Sequence, residues 1–392
     1  MKSSLLFRLA VICTAIGMAS CSTEGFGGTS AGDRFDGPNG NGHGNHAGII
    51  TAGEWNDLEN WDFWQELINE QGQQENYGEH VAYWRLTTGG RIPVTVVDNA
   101  GNAVCGARVE LFRDNNPVWT AISDNNGSAE LWYTIVPETS KPETEKSGID
   151  PTFTISINGI AVDTPVTPDE ENVVTVTNPT TVQKIVDIAF IVDATGSMRD
   201  EIQFLKDDLI DILKKVKASQ SDKDFRTAAL FYRDKGDEYL TRHDNFKDDP
   251  SATLNFIKKQ NAKGGGDYPE AVHTALEESL QNLSWTEGGY ARLAFLILDA
   301  PPHYSNSVLN SLHSSIQQYA ANGIKIIPVA ASGIDRKTEA LLRLMGIFTD
   351  GTYVFITNDS GVGNEHITPS VGEYQVENLN GLIVRLINKY SE

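Results

Sequence analysis

The run Ile185-Val-Asp-Ile-Ala-Phe-Ile-Val192 breaks off at Asp193-Ala-Thr195-Gly-Ser197, and that junction limits what the chain can become. A short, near-continuous stretch of Ile, Val and Phe reads as a strand buried on both faces of a parallel sheet, and in open sheets of that kind ligands gather where strands end. Two further acidic loops follow, Gly264-Gly-Gly-Asp267 and the Asp299 that closes Ala294-Phe-Leu-Ile-Leu-Asp299. Carboxylates and hydroxyls at such ends suit a hard divalent cation, which takes oxygen ligands in octahedral array.

The surrounding sequence supplies the rest of that sheet. From Thr181 to Glu392, strands are expected at Ile185–Val192, Thr227–Tyr232, Leu293–Leu298, Ile324–Val329 and Tyr353–Ile356, with helical stretches between and after them. In the first helix Ile202, Leu205, Leu209, Ile212, Leu213 and Val216 share one face. This alternation predicts an α/β fold, a doubly wound, mostly parallel, Rossmann-like sheet. Right-handed crossovers place the strand ends on one edge and so bring the Asp193, Asp267 and Asp299 loops together.

Residues 89–180 read instead as a small all-β sandwich: Ile92–Val97, Ala107–Phe112, Ala129–Tyr133, Phe153–Ile157 and Val173–Thr177 are β-rich, with Asp98-Asn-Ala-Gly101 and Asp124-Asn-Asn-Gly127 as turns. A role as spacer is expected of it. Residues 51–88 carry Trp55, Trp61, Trp64 and Trp84, and Phe63, Trp64 and Leu67 fall at helical spacing, which favours packing over an exposed sugar platform. Residues 21–50 form a Gly-rich tether in which His43 and His46 are solvated linker residues.

Residues 1–20 have the layout of a signal peptide, with Lys2 and Arg8 ahead of the apolar Leu9–Gly17. Met18-Ala-Ser-Cys21 resembles the lipobox of bacterial lipoproteins. That resemblance implies acylation of Cys21, a membrane held through the lipid anchor, and a place in the bacterial cell envelope on its periplasmic or outer face. Cys13 would leave with the signal, so Cys105 alone remains in the mature body and is expected to pack as a small apolar side chain. With 31 basic and 53 acidic residues the net charge is −22, which repels nucleic-acid phosphates and argues against nucleic acid as a partner.

Asp193-x-Thr195-x-Ser197, Gly264-Gly-Gly-Asp267-Tyr-Pro-Glu270 and Leu298-Asp299-Ala-Pro-Pro-His303 resemble the three metal-ion-dependent adhesion loops of a von Willebrand factor type A domain, in their hemicentin-like form. Phe231-Tyr-Arg-Asp234 with Glu238-Tyr239 is similar to the middle of that branch, and the β region is similar to carboxypeptidase regulatory-like and bacterial Ig-like modules. The resemblance implies that Thr195 and Ser197 coordinate Mg²⁺ or Mn²⁺, with Ca²⁺ as a third candidate, and that Asp193 and Asp299 bind directly or through water. An open coordination position would accept an Asp or Glu carboxylate from a partner protein. Asp267 stands where many members have Thr, which adds a negative charge beside the ion. Glu270 and His303 are expected as supporting residues.

Plainer accounts of each loop exist. Asp193 would cap the next helix, Gly264–Gly266 would be an ordinary loop, and Asp299 would fix a turn before Pro301-Pro302. An enzyme is the competing function, a metal-dependent hydrolase or phosphotransferase with Asp267 and Glu270 as bases. No second Asp follows Asp193 at two residues' distance, and no Gly-x-Ser-x-Gly or Walker loop stands at a strand end, so no catalytic residue is expected. A third reading is a structural envelope protein whose fold the metal stabilises.

Overall fold

The computed structural model describes residues 50–69, 76–134, 152–163, 166–360 and 366–392. The expected signal segment, Cys21 and the tether with His43 and His46 lie outside the described residues.

The described chain opens with β1 (Thr51–Trp55) and two short helices, α1 (Trp61–Asn69) and α2 (Tyr77–Tyr83). Seven strands follow: β2 (Arg91–Asp98), β3 (Arg108–Arg113), β4 (Asn116–Ile122), β5 (Ser128–Trp132), β6 (Phe153–Ile157), β7 (Ile160–Ala161) and β8 (Asn172–Val176). They make two sheets, ordered β5-β2-β8 and β4-β3-β6-β7. Ile92, Val94 and Val96 turn inward between half-exposed neighbours, the period of two that a half-buried strand requires. Sequence pattern gives no β4, which begins Asn116-Pro117. The strand forms because Asp114 and Asn115, both at positive φ, turn the chain back on β3.

The second half runs β9 (Gln183–Asp193), α3 (Arg199–Ser219), β10 (Asp224–Tyr232), β11 (Thr241–Lys247), α4 (Pro250–Ile257), α5 (Val272–Asn282), β12 (Gly289–Leu298), α6 (Asn306–Ala321), β13 (Ile324–Ala330), α7 (Arg336–Thr349), β14 (Tyr353–Ile356), β15 (Glu377–Asn378) and α8 (Leu379–Ser391). These strands and β1 form one sheet ordered β11-β10-β9-β12-β13-β14-β1-β15, with β10, β9, β12, β13 and β14 parallel. Successive side chains go to opposite faces. Phe190, Val192 and Phe295 pack with α3 and α8, whereas Ile191, Leu230 and Leu296 pack with α5, α6 and α7. Each fully buried side chain of this size contributes roughly 1.5–3 kcal/mol. The doubly wound α/β sheet predicted from the alternation is therefore present, with the β-rich region separate from it.

Two strands of this sheet escape the sequence pattern. β11 is a polar edge strand, Thr-Arg-His-Asp-Asn-Phe-Lys, paired antiparallel to β10 and mostly exposed, so it carries no apolar run to reveal it. β1 comes from ahead of the sandwich and completes the sheet of residues 181–392 between β14 and β15. Gly53 permits this, because a Cβ there would stand 2.6 Å from the Phe355 ring. β1 runs antiparallel to β14, with Ala52 opposite Ile356 and Trp55 opposite Tyr353. Thr51 consequently lies beside Thr357, past the end of β14, with the Thr357 N–H donating to its carbonyl at 2.9 Å. The chain thus meets the sheet on the edge where the parallel strands end.

Two tryptophans in this segment are core, and Trp55 and Trp61 pack half-buried against it. Trp64 and Trp84 are buried, donating to Thr88 Oγ1 at 2.8 Å and to the Lys337 carbonyl at 2.6 Å. Arg343 lies over the Trp64 ring at 4.8 Å and binds both carboxylate oxygens of Asp57.

The sandwich docks on the opposite edge, where the strands begin. Lys325, near the start of β13, pairs with Asp124 at 3.3 Å and with Asp350. Asn125 donates to the Lys389 carbonyl at 3.0 Å, and Trp132 meets Phe348 at 4.9 Å. Cys105 reaches the Tyr290 carbonyl at 3.4 Å, and burial pushes its thiol up to about 11, which keeps it out of nucleophilic chemistry at neutral pH. A spacer would stand between the incoming chain and the sheet. The register of β1 gives the sandwich no such position. No helix among the described residues is long and apolar enough to cross a membrane.

Candidate metal centre

β9 ends on Asp193, whose side chain is fully buried. Thr195 donates its backbone N–H and its hydroxyl to Asp193 Oδ1, each at 2.8 Å. Oδ2 is buried and has no hydrogen-bond partner. Asp193 does not cap α3, whose N-cap position is Met198 and which has no side-chain cap, so the plainest account of this residue is not what the fold uses. Asp299 directly follows β12 and accepts a hydrogen bond from the Ser197 hydroxyl.

The second loop follows a helix rather than a strand, since it joins α4 to α5. Backbone bonds bring it over the strand ends: Lys263 N–H to the Ala194 carbonyl at 3.0 Å and Gly196 N–H to the Gly264 carbonyl at 3.2 Å. Asp237, from the turn between β10 and β11, accepts the Gly265 N–H at 3.0 Å. Gly265 has φ +73°, and a Cβ there would stand 3.2 Å from both Glu270 Oε1 and Thr195 Cβ. Only glycine lets the loop lie this close to the first one.

The loops enclose a cleft of about 480 Å³ lined by Thr195, Ser197, Asp267, Glu270, Asp299 and Ser332, among others. Asp193 lies buried behind Thr195, and Asp267 stands exposed on the rim. His303 goes elsewhere, its Nε2 lying 2.8 Å from Asp234 Oδ1. Among the described residues, Asp234, Asp267 and His303 form a group whose potential ligand atoms all lie within 4.8 Å of one another. Sequence pattern brings forward neither Glu201 nor Asp237. Glu201 is buried in the first turn of α3 with Oε2 unpartnered, and an acid next to the inward-facing Ile202 was the available signal.

Electrostatics here are one-sided. Burial raises Asp193 to about 7, with the Asp299 charge adding to it, and burial raises Glu201 to about 7. Glu270 rises to about 9, first through burial and then through Asp193, Asp234, Asp237 and Asp299. Asp299 is also raised by burial, against the pull of the Ser197 hydroxyl. Among the described residues no Lys or Arg pairs with any of these four acids. The buried Arg233 is close by but donates to the carbonyls of Ala194 at 3.1 Å and Asn261 at 2.8 Å. Like charges held out of water cost heavily unless a counter-charge arrives. Buried carboxylate oxygens without partners, beside two hydroxyls, fit a hard divalent cation.

Parts of the chain are similar to known proteins. A protein of Acanthamoeba polyphaga mimivirus described as ariadne-like RING finger protein R811 is 28% identical over 134 residues, 34% of this chain and 13% of that one. The alpha-protein kinase vwkA of Dictyostelium discoideum is 30% identical over 143 residues, 36% of this chain and 22% of that one. The chain therefore spans less than a quarter of the length of these curated relatives. Among solved structures, the conserved hypothetical protein BatB from Bacteroides thetaiotaomicron aligns with TM-score 0.36 and 12% identity, over 53% of this chain and 98% of that one. Proximal thread matrix protein 1 from the mussel byssus aligns with TM-score 0.38 and 14% identity, over 54% and 48%. The family model for the von Willebrand factor A domain matches residues 187–340, and the chain carries such a domain there.

Proposed function

We propose that the chain binds a divalent cation at the loop edge, Mg²⁺ or Mn²⁺ before Ca²⁺, and uses it to hold a partner protein through an Asp or Glu carboxylate. The hydroxyls of Thr195 and Ser197 and the carboxylates of Asp193, Asp267 and Asp299 would hold the ion, with Glu270 beside them. The observation that carries this is the Asp193 carboxylate, fully buried, with one oxygen unpartnered and no basic side chain among the described residues to neutralise it. A bound cation supplies positive charge in the cleft, and the exposed Asp267 offsets part of it, so the ion is better held and a ligand carboxylate less strongly drawn. Met18-Ala-Ser-Cys21 supports acylation at Cys21 and an adhesion or assembly role in the bacterial cell envelope. A hydrolase would need a free base, and burial together with the neighbouring acids raises Glu270 to about 9, which disfavours its charged form.

The test is calorimetric titration of Mg²⁺ into the full chain. Asp193→Ala abolishes the binding heat, and an unchanged titration in that variant overturns the proposal. A pull-down from envelope extract with and without chelator then asks whether the ion holds a partner, and mass spectrometry of the membrane-purified protein asks for an acyl mass on Cys21.

A further inference from the structure

We propose that Glu201 is a positioning residue of the metal centre, a buried acid behind Ser197 and Asp299 whose free carboxylate oxygen takes a hydrogen bond from water on the bound cation. This role rests on the cation proposed for the cleft and places a support for it on α3. Glu201 stands about one helical turn beyond Ser197, and a helical side chain leans back toward the N-terminus of its helix, so Glu201 points toward the loop that carries Ser197. It is 5% exposed, and its Oε2 is buried with no hydrogen-bond partner. Its charge acts on Asp193 and the Asp299 charge acts on it, so it shares the neighbourhood of two residues that would hold the ion.

Ordinary uses of an acid at this position do not account for it. A glutamate three residues into a helix can reach back to the N–H of the N-cap residue. The N-cap of α3 is Met198, and its N–H donates instead to the Thr195 carbonyl at 3.2 Å. An acid in the first turn also favours the helix dipole, but it does so from solvent, where the neighbouring Asp200 already stands half-buried. Among the described residues no basic side chain pairs with Glu201. Its own backbone N–H gives partial relief, and Oε2 is left over. A carboxylate oxygen withdrawn from water without a partner is costly, so its place in the fold calls for a donor.

The cation supplies that donor. Mg²⁺ held by one or two carboxylates keeps several of its waters, and each such water has hydrogens to place. Acids that accept from a metal's ligands without touching the metal fix those ligands in orientation, and their loss weakens binding although the ligand set is intact. Glu201 is well placed for this because it stands on a helix and not on a loop. Ile202 and Leu205 beside it are buried against the sheet, which pins the backbone that carries the carboxylate. Glu201 thereby joins α3 to the centre as a support that the three loops do not themselves provide.

The experiment is calorimetric titration of Mg²⁺ and of Mn²⁺ into the full chain and its Glu201→Gln, Glu201→Ala and Asp200→Asn variants, with thermal melting of each in chelator. Glutamine keeps an acceptor oxygen and loses the charge, so affinity falls about tenfold; alanine removes the acceptor as well, and the loss reaches about a hundredfold. Asp200→Asn, one residue away and half-buried, changes affinity by less than about twofold. Metal-free Glu201→Gln melts no lower than wild type, whereas a residue that merely capped α3 would lower the melting point and leave the affinity alone. Equal affinity in wild type and both Glu201 variants overturns the proposal, and so does a loss in Asp200→Asn as large as that in Glu201→Gln. Wild type that binds neither ion overturns the proposed cation itself, so the two ideas fail by different results.

Discussion

Both edges of the large sheet collect buried acids, and they settle them in opposite ways. Where the strands begin, Asp124 and Asp350 flank Lys325, and on the sandwich face Glu130 binds Arg91 at 2.7 Å. Where the strands end, Asp193, Glu201, Glu270 and Asp299 have no basic partner among the described residues. The first edge is neutralised by the chain itself and glues two modules together. The second carries no such counter-charge among the described residues, and that contrast is what the proposed cation would resolve.

The largest expected effect comes from breaking the self-neutralised edge. Lys325→Met strands Asp124 and Asp350 in the interface and costs about 3–5 kcal/mol, read as a drop in the denaturation midpoint that Mg²⁺ does not repair. A loss under 1 kcal/mol would mean that water already reaches this seam.

At the other edge the effect runs through pH. Asp193, Glu201 and Glu270 have folded values raised to about 7, 7 and 9. Raised acids contribute stability that is intact below their unfolded values near 4 and is lost as pH climbs through the folded ones. In chelator the stability should therefore fall between about pH 4 and pH 9, with the Asp193 share, on the order of 4 kcal/mol, lost by about pH 7. Saturating Mg²⁺ should hold the alkaline end up, and parallel curves with and without the ion would contradict a cation-receptive edge.

Asp193→Asn sharpens the same point with a smaller change. The amide oxygen still accepts from Thr195, the buried charge disappears, and metal-free protein at pH 8 gains stability while losing its response to Mg²⁺. A destabilised metal-free variant would show that the carboxylate has a partner after all. The mildest expectation concerns Asp267→Thr, where an exposed charge is removed: cation affinity should fall only a few-fold while retention of a carboxylate ligand rises. Surface plasmon resonance on an acidic peptide at fixed Mg²⁺ would register either direction.

Much of this architecture is legible in the sequence because long apolar runs announce buried strands. Ile185–Val192 and Leu293–Leu298 fall within β9 and β12, and the face of α3 is buried at Ile202, Leu205 and Leu209. β1 and β11 stay hidden for a physical reason: Thr51-Ala-Gly-Glu-Trp55 becomes a strand through what it pairs with, and the edge strand β11 keeps its polar residues in water. At the centre, the motif spacing brings Thr195, Ser197, Asp267, Glu270 and Asp299 into one cleft above Asp193. It does not reveal that His303 turns toward Asp234, because that depends on how far the loop after β12 reaches across β9. Glu201 is easily passed over, since an acid in a first helical turn normally serves the dipole in solvent.

The register of β1 also has a mechanical meaning. Because Thr51 lies level with the far end of β14, the chain arriving there and any ligand held by the loops load the sheet from the same side. Tension between them crosses the strands instead of running along them. It would first peel β1 from β14 and β15, starting at Thr51 and Ala52. Strands β9 and β12 lie further in, with β13 and β14 between them and β1, so the loops would stay assembled while this side of the sheet yields.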